Sequence, residues 1–134
     1  MNIGQASGQS GVSQRMIRHY EAIGLIPKAK RRVSGYRDYD DRDVHTLRFI
    51  RRARDLGFPI EEIGQLLALW QDRSRASADV KALANARAEE LKRKEREIRA
   101  MRRSLEDLAR HCHGDARPDC PILDDLARAE PADD

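Results

Sequence analysis

SQRMIRHYEAIGLI, residues 13–26, reads as a short helix with a start and a stop. Ser13 stands where a side-chain oxygen can accept from a free N–H of the first turn. Met16, Ile17 and Tyr20 form an apolar stripe at helical spacing, with Ile23 beyond it. Gly24 suits the C-terminal end, and Pro27 prevents continuation. Upstream, Ile3, Ala6 and Val12 mark an earlier short helix, NIGQASGQSG, closed by Gly11. Two short helices joined by a tight glycine-containing turn read as a helix-turn-helix.

Downstream comes KAKRRVSGYRDYDD. Lys28, Lys30, Arg31 and Arg32 precede Val33, a Ser34-Gly35 turn signal, and then Tyr36, Arg37 and Tyr39. A basic hairpin here is either an ordinary exposed loop or a wing. As a wing, its arginines and tyrosines can bond phosphate oxygens and fix the protein's register on a duplex.

DDRDVHTLRFIRRARDLG is a third helix, capped by Asp40 or Asp41 and ended by Gly57. Val44, Leu47, Phe49, Ile50 and Ala53 are its apolar positions, and Arg48, Arg51, Arg52 and Arg54 cover much of the rest. A fourth helix is FPIEEIGQLLALWQD. Pro59 suits its first turn, and Glu61 and Glu62 complement the dipole there. Ile60, Ile63, Leu66, Leu67 and Trp70 are expected in the core, with Phe49.

From Ser77 to about His111 no proline or glycine interrupts the chain. With Leu91 at heptad position a, the a row reads Ser77, Ala84, Leu91, Ile98, Leu105, Cys112. The d row reads Val80, Arg87, Lys94, Met101, Leu108, spoiled by its two cations. This is an imperfect coiled-coil seam. So small a domain cannot bury the stripe of so long a helix, which is expected to pair with a copy of itself; folding back on its own domain is the alternative. Ser77 and Cys112 lie 35 residues apart on that seam, about 52 Å along the helix. In an antiparallel pair they would meet across the two subunits.

The net charge of +3 conceals an asymmetry. Residues 1–60 hold 12 Lys and Arg against 6 Asp and Glu; residues 61–134 hold 14 against 17. A basic first half fits a polyanionic partner, or else a solvated mixed-charge surface. Aromatic residues are only 4%, which disfavours an all-β fold. No apolar run approaches the length of a membrane span, and the N-terminus lacks a signal-peptide pattern, so a cytoplasmic protein is expected. No Ser/His/Asp grouping, phosphate loop or pocketed carboxylate pair argues for an enzyme.

The chain's two cysteines, Cys112 and Cys120, lie in one loop, HCHGDARPDC. In a reducing compartment such a pair is expected to be reactive, redox-active or metal-binding rather than a structural disulfide. Seven intervening residues let the loop return and place both sulfurs on one ion. Two thiolates suit a soft monovalent ion: Cu(I), with Ag(I) and Au(I) by the same softness. The bound state would carry net −1. DCPILDDLA offers an offset, with Asp119 as cap, Pro121 at the first helical position and Cys120 at the positive end of the helix. With His111 and His113 the cysteines could instead make a Cys2His2 zinc set. A thiol redox switch is a further alternative.

Taken together, SQRMIRHYEAIGLI, SGYRDY and LRFIRRARDLGFPIEEI resemble the MerR family of transcription regulators. SADV at 77–80 and the C…GD…DCPI pattern at 112–122 resemble the copper-efflux regulators within it. The resemblance implies a mainly α fold: a winged helix-turn-helix domain with a helix pair over 1–70, a dimerisation helix over 76–111 forming an antiparallel coiled coil, and a metal loop with a short helix over 112–128. Residues 129–134 are left as a disordered tail. It implies a homodimer on an inverted repeat of double-stranded promoter DNA whose polymerase-recognition elements are too widely spaced. The metal-bound dimer would distort that DNA so that RNA polymerase can use both elements. By match to the family, Arg15, Arg18, Tyr20, Tyr36 and Arg37 would contact DNA. Family members that sense divalent ions commonly carry cysteine at the position of Ser77; serine withholds that third thiolate and points to a monovalent ion. Serine could equally be capping the long helix. An iron–sulfur sensor would need four cysteines, and a drug sensor an added C-terminal domain.

Overall fold

The computed structural model describes residues 1–31 and 35–128. The order is α1 (Ile3–Ser10), α2 (Gln14–Ala22), β1 (Lys30–Arg31), β2 (Arg37–Asp38), α3 (Asp41–Asp55), α4 (Ile60–Gln71), α5 (Ser77–Arg110) and α6 (Pro121–Leu126). The chain is thus mainly helical, as expected. Of the expected Ser34-Gly35 turn, Gly35 is described, with φ +88°, while Ser34 and the expected tail over 129–134 lie outside the described residues.

The first three helices each have a start written in their sequence. The Asn2 side chain accepts from Gln5 N, and the Gln5 side chain accepts from Asn2 N, closing a reciprocal box. Ser13 Oγ accepts from Met16 N at 3.2 Å. Asp40 and Asp43 make a second box at the start of α3. Three expected caps move. Pro59 occupies the position before α4 rather than its first turn. Cys120, not Asp119, is the residue before α6, with Pro121 first in the helix. Ser77 is the first residue of α5 itself rather than the cap preceding it.

The chain divides into two compact units, residues 1–87 and the remainder from Ala88. In the first, α1 packs on α2 and α3, and α3 packs on α4. Ala6, Ile17, Tyr20, Leu47, Ile50 and Ile63 are at most 1% exposed and form the centre of the core. Val44, Ala53 and Leu67 extend it, as expected, while Ile60, Leu66 and Phe49 pack against its edge. Trp70 departs from expectation: it is 44% exposed, its ring stacked on Phe49 at 4.7 Å and 8°. It sits at the last turn of α4, where the core has already closed over Leu67.

The arginines of α3 hold this unit together. Arg48 Nε and Nη2 both donate to Gln9 O, at 3.0 and 2.9 Å. Arg51 Nη1 donates to Gly11 O at 3.1 Å, and Arg54 Nη1 to the Tyr20 hydroxyl at 2.8 Å. Three residues apart, these side chains share one face of α3. Arg48 and Arg51 satisfy carbonyls that the end of α1 leaves free, and Arg54 ties the Tyr20 hydroxyl of α2 to α3. Gly11 is required there: its φ is +76°, and a Cβ would lie 1.7 Å from Arg51 Nη1.

Arg87 corrects the seam reading. Although it occupies a d position, it is 6% exposed, and its Nε donates to Leu56 O at 3.2 Å. It caps the end of α3 from the first third of α5. The second unit holds the rest of α5, the 111–120 loop and α6. Leu91, Ile98, Met101 and Leu105 along α5 are 42–61% exposed, an apolar row left open to solvent in the single chain.

Candidate DNA interface and thiol loop

Helix α2 places its residues by period. Ile17 and Tyr20 turn inward, while Arg15 and Arg18 are exposed. The wing is β1 paired antiparallel with β2, Lys30 opposite Asp38 and Arg31 opposite Arg37. Arg18 of α2 meets the wing residues Arg31, Tyr36 and Arg37 around a recess of about 300 Å³. Tyr36 is 75% exposed beside it. Three cations and a phenol on one concave surface suit phosphate oxygens. Of the five residues expected at DNA, the structure therefore gathers Arg18, Tyr36 and Arg37 at one recess. Arg15 is separately exposed on the same helix.

Tyr20 lies elsewhere. It is 1% exposed and its hydroxyl accepts from Arg54 Nη1. It is a core residue whose polar end anchors an arginine, so the surface position expected for it is not found. Its place in the apolar stripe at 16, 17 and 20 was the signal for burial.

A residue that the sequence did not single out is Glu21, 3% exposed. Its Oε1 accepts from the Tyr39 hydroxyl at 2.5 Å and from Arg37 Nη1 at 3.2 Å. Its Oε2 accepts from Ala29 N at 3.4 Å. These partners flank or belong to both wing strands. Burial, reinforced by the bond to Glu21, pushes the Tyr39 phenol above its ordinary pKa. The bond to Tyr39 and the charge of Glu21 raise that of Arg37, against the cost of burial. A lone glutamate on a basic helix carries no periodicity that marks it as buried.

The thiol loop begins where α5 ends. Cys112 N donates to Ala109 O at 3.2 Å in the turn that closes the helix. Cys120 precedes α6, and its carbonyl accepts from Asp124 N at 3.0 Å. Both are free thiols and half-buried. Between them, Gly114 takes φ +69°, and Asp115 accepts from Arg117 N and Arg117 Nε, each at 2.9 Å. His111 Nδ1 donates to Asp107 O at 2.7 Å, which holds that ring along the helix. Among the described residues no group of three or more His, Cys, Asp and Glu side chains is gathered to hold an ion. Cys112 and Cys120 are soft sulfur donors, and as chemistry a pair of thiols fits a two-sulfur site for a soft ion. Ser77 is exposed at the start of α5. Among the described residues no helix is long and apolar enough to cross a membrane.

Known proteins match over almost the whole chain. The profile of the MerR HTH family regulatory protein matches residues 1–69, and that of MerR, DNA binding, matches 44–108. The chain is 64% identical over 128 residues to the HTH-type transcriptional regulator HmrR of Sinorhizobium medicae (strain WSM419), covering 96% of this chain and 87% of that one. It is 64% identical over 127 residues to heavy metal-dependent transcription regulator 2 of Rhizobium meliloti (strain 1021), covering 95% and 86%. The crystal structure of the transcription regulator PbrR691 from Ralstonia metallidurans CH34 in complex with lead(II) superposes with a TM-score of 0.80 at 35% identity, covering 95% of this chain and 99% of that one. With these matches beside the helix-turn-helix, wing and long helix, the chain belongs to the MerR family of DNA-binding transcription regulators, and it is not an enzyme.

Proposed function

We propose that this chain is a Cu(I)-responsive transcription activator. It binds an inverted repeat in promoter DNA as a homodimer and switches on copper-efflux or detoxification genes. The observation that carries the metal reading is the pair of half-buried free thiols at the two ends of one loop. A relative named for heavy-metal dependence and a neighbour crystallised with lead(II) support a metal as the effector. Softness and low coordination number favour Cu(I), and Ag(I) or Au(I) in its place.

Cys112 and Cys120 would hold the ion as thiolates, and the ion supplies the inducing signal. Ser77 keeps the site at two sulfurs by offering no third. The open apolar row Leu91, Ile98, Met101 and Leu105 supports pairing of α5 with a second copy. Arg15, Arg18, Tyr36 and Arg37 grip the DNA backbone, while Tyr20 serves from the core through Arg54. Distortion of the DNA between half-sites then aligns the promoter elements for RNA polymerase. A cytoplasmic protein is implied.

The test is anaerobic transcription in vitro from a promoter carrying an operator selected from random duplexes. Cu(I) should raise transcript yield with operator binding retained, and Zn(II) should not. Activation by Zn(II) in preference to Cu(I) contradicts the proposal.

A further inference from the structure

Among the residues that face the wing, one is buried, charged and triply bonded. Glu21 belongs to α2, yet its three donors come from the wing: Ala29 N just before β1, Arg37 Nη1 in β2, and the Tyr39 hydroxyl just after β2. The carboxylate side chain is 1% exposed, and that of Arg37 is 31% exposed. Glu21 therefore has no surface to offer a duplex, whereas Arg37 has an edge left over. Arg37 also lines the recess shared with Arg18, Arg31 and Tyr36.

The physical consequence follows from the guanidinium's shape. Its planar fork carries five N–H donors, so one edge can serve an internal carboxylate while another remains for a phosphate. A buried carboxylate must keep its partners, because removing one leaves an uncompensated charge. The wing is thus locked to the helix that would enter the groove, with its arginine already aimed.

We infer that Glu21 is the positioning residue of the DNA interface: it aims Arg37 and fixes the wing against α2 without touching DNA. This rests on the DNA-binding reading above. It also makes an unusual demand. Loss of an acidic residue should weaken binding to a polyanion, although the generic effect of the added positive charge is to strengthen it.

The experiment compares the full-length protein with Glu21→Gln, Arg37→Met and the double variant, on one operator selected by the wild type from random duplexes, over a salt series. Circular dichroism and sedimentation confirm equal folding and size. Glu21→Gln should lose about tenfold in affinity, and the slope of log affinity against log salt should fall by about 0.9, the worth of one phosphate. The losses should be less than additive in the double variant, because both substitutions remove the Arg37 contact. Arg37→Lys serves where Glu21→Gln does not fold. It keeps the charge, but its compact ammonium is held by Glu21, so it should lose as much as Arg37→Met. Unchanged or tighter binding by Glu21→Gln overturns the inference, as do additive losses in the double variant, an unchanged salt slope, or wild-type affinity in Arg37→Lys. Failure of the wild type to select any duplex sinks the DNA-binding reading instead.

Discussion

Arg87 of the long helix donates from Nε to the carbonyl oxygen of Leu56, 3.2 Å away, at the end of α3. The same guanidinium covers Gly57, whose φ is +84° and whose added Cβ would stand 2.6 Å from Arg87 Nη2. A charge at a seam position is here a cap on another helix, set over a turn kept bare for it.

Arg87→Met should destabilise the protein by about 1.5–3 kcal/mol, the range for a hydrogen bond to a charged group. Gly57→Ala should cost about 1–3 kcal/mol from its left-handed backbone, and more from the collision. In urea unfolding, the double variant should fall short of the sum, because Met relieves the collision. Full additivity would show that the contact does not form in solution.

Tyr39 gives a prediction in pH. Burial, with the bond to Glu21, raises its pKa above the ordinary 10.0. A raised value means that the phenol's stabilising contribution is whole below pH 10 and is lost as pH rises through the folded value. A spectrophotometric titration should show a phenol ionising later than 10.0, and Tyr39→Phe should remove that late phase. A wild-type minus Tyr39→Phe difference that titrates at 10.0 contradicts the buried Tyr39–Glu21 contact.

Arg18 lines the recess from α2 and is exposed. Arg18→Ala should weaken operator binding about tenfold, with the salt slope lowered by about 0.9. Fluorescence anisotropy over a salt series measures both. Wild-type affinity at physiological salt removes Arg18 from the interface.

Cys112→Ser and Cys120→Ser act on a loop remote in sequence from α2 and the wing. Each should retain operator affinity within about threefold, since the residues proposed to contact DNA lie in α2 and the wing and not in the loop. Each should abolish Cu(I)-dependent transcription. Equal loss of operator binding in these variants contradicts the assignment of the thiols to sensing.

Much of the fold was legible because its signals are local. Ser13 and Asp40 announce helix starts within three residues, Gly11 and Gly57 announce ends, and the 16, 17, 20 stripe announces a buried face. The arginines were not legible. Arg48, Arg51 and Arg87 bond carbonyls 31–40 residues away, and no spacing rule connects those pairs. Trp70 was misplaced because periodicity gives a face, not the point along the helix where the core ends. Tyr20 shows the same gap from the other side: its stripe predicted burial, and its match to the family suggested a surface role. Of the candidate site, Tyr36 and Arg37 followed from residue type in a basic hairpin and Arg18 from the match to the family, while the recess that gathers them did not show in the sequence. Glu21 did not, because a buried charge is recognised only from its partners.

X-ray absorption at the metal edge, on protein titrated anaerobically with Cu(I), is the most direct test of the sensing chemistry. The predicted result is two sulfur scatterers per copper with no nitrogen or oxygen in the first shell, lost in Cys112→Ser and Cys120→Ser. A shell filled out by nitrogen or oxygen donors, or by three or more sulfurs, would contradict the two-thiolate site.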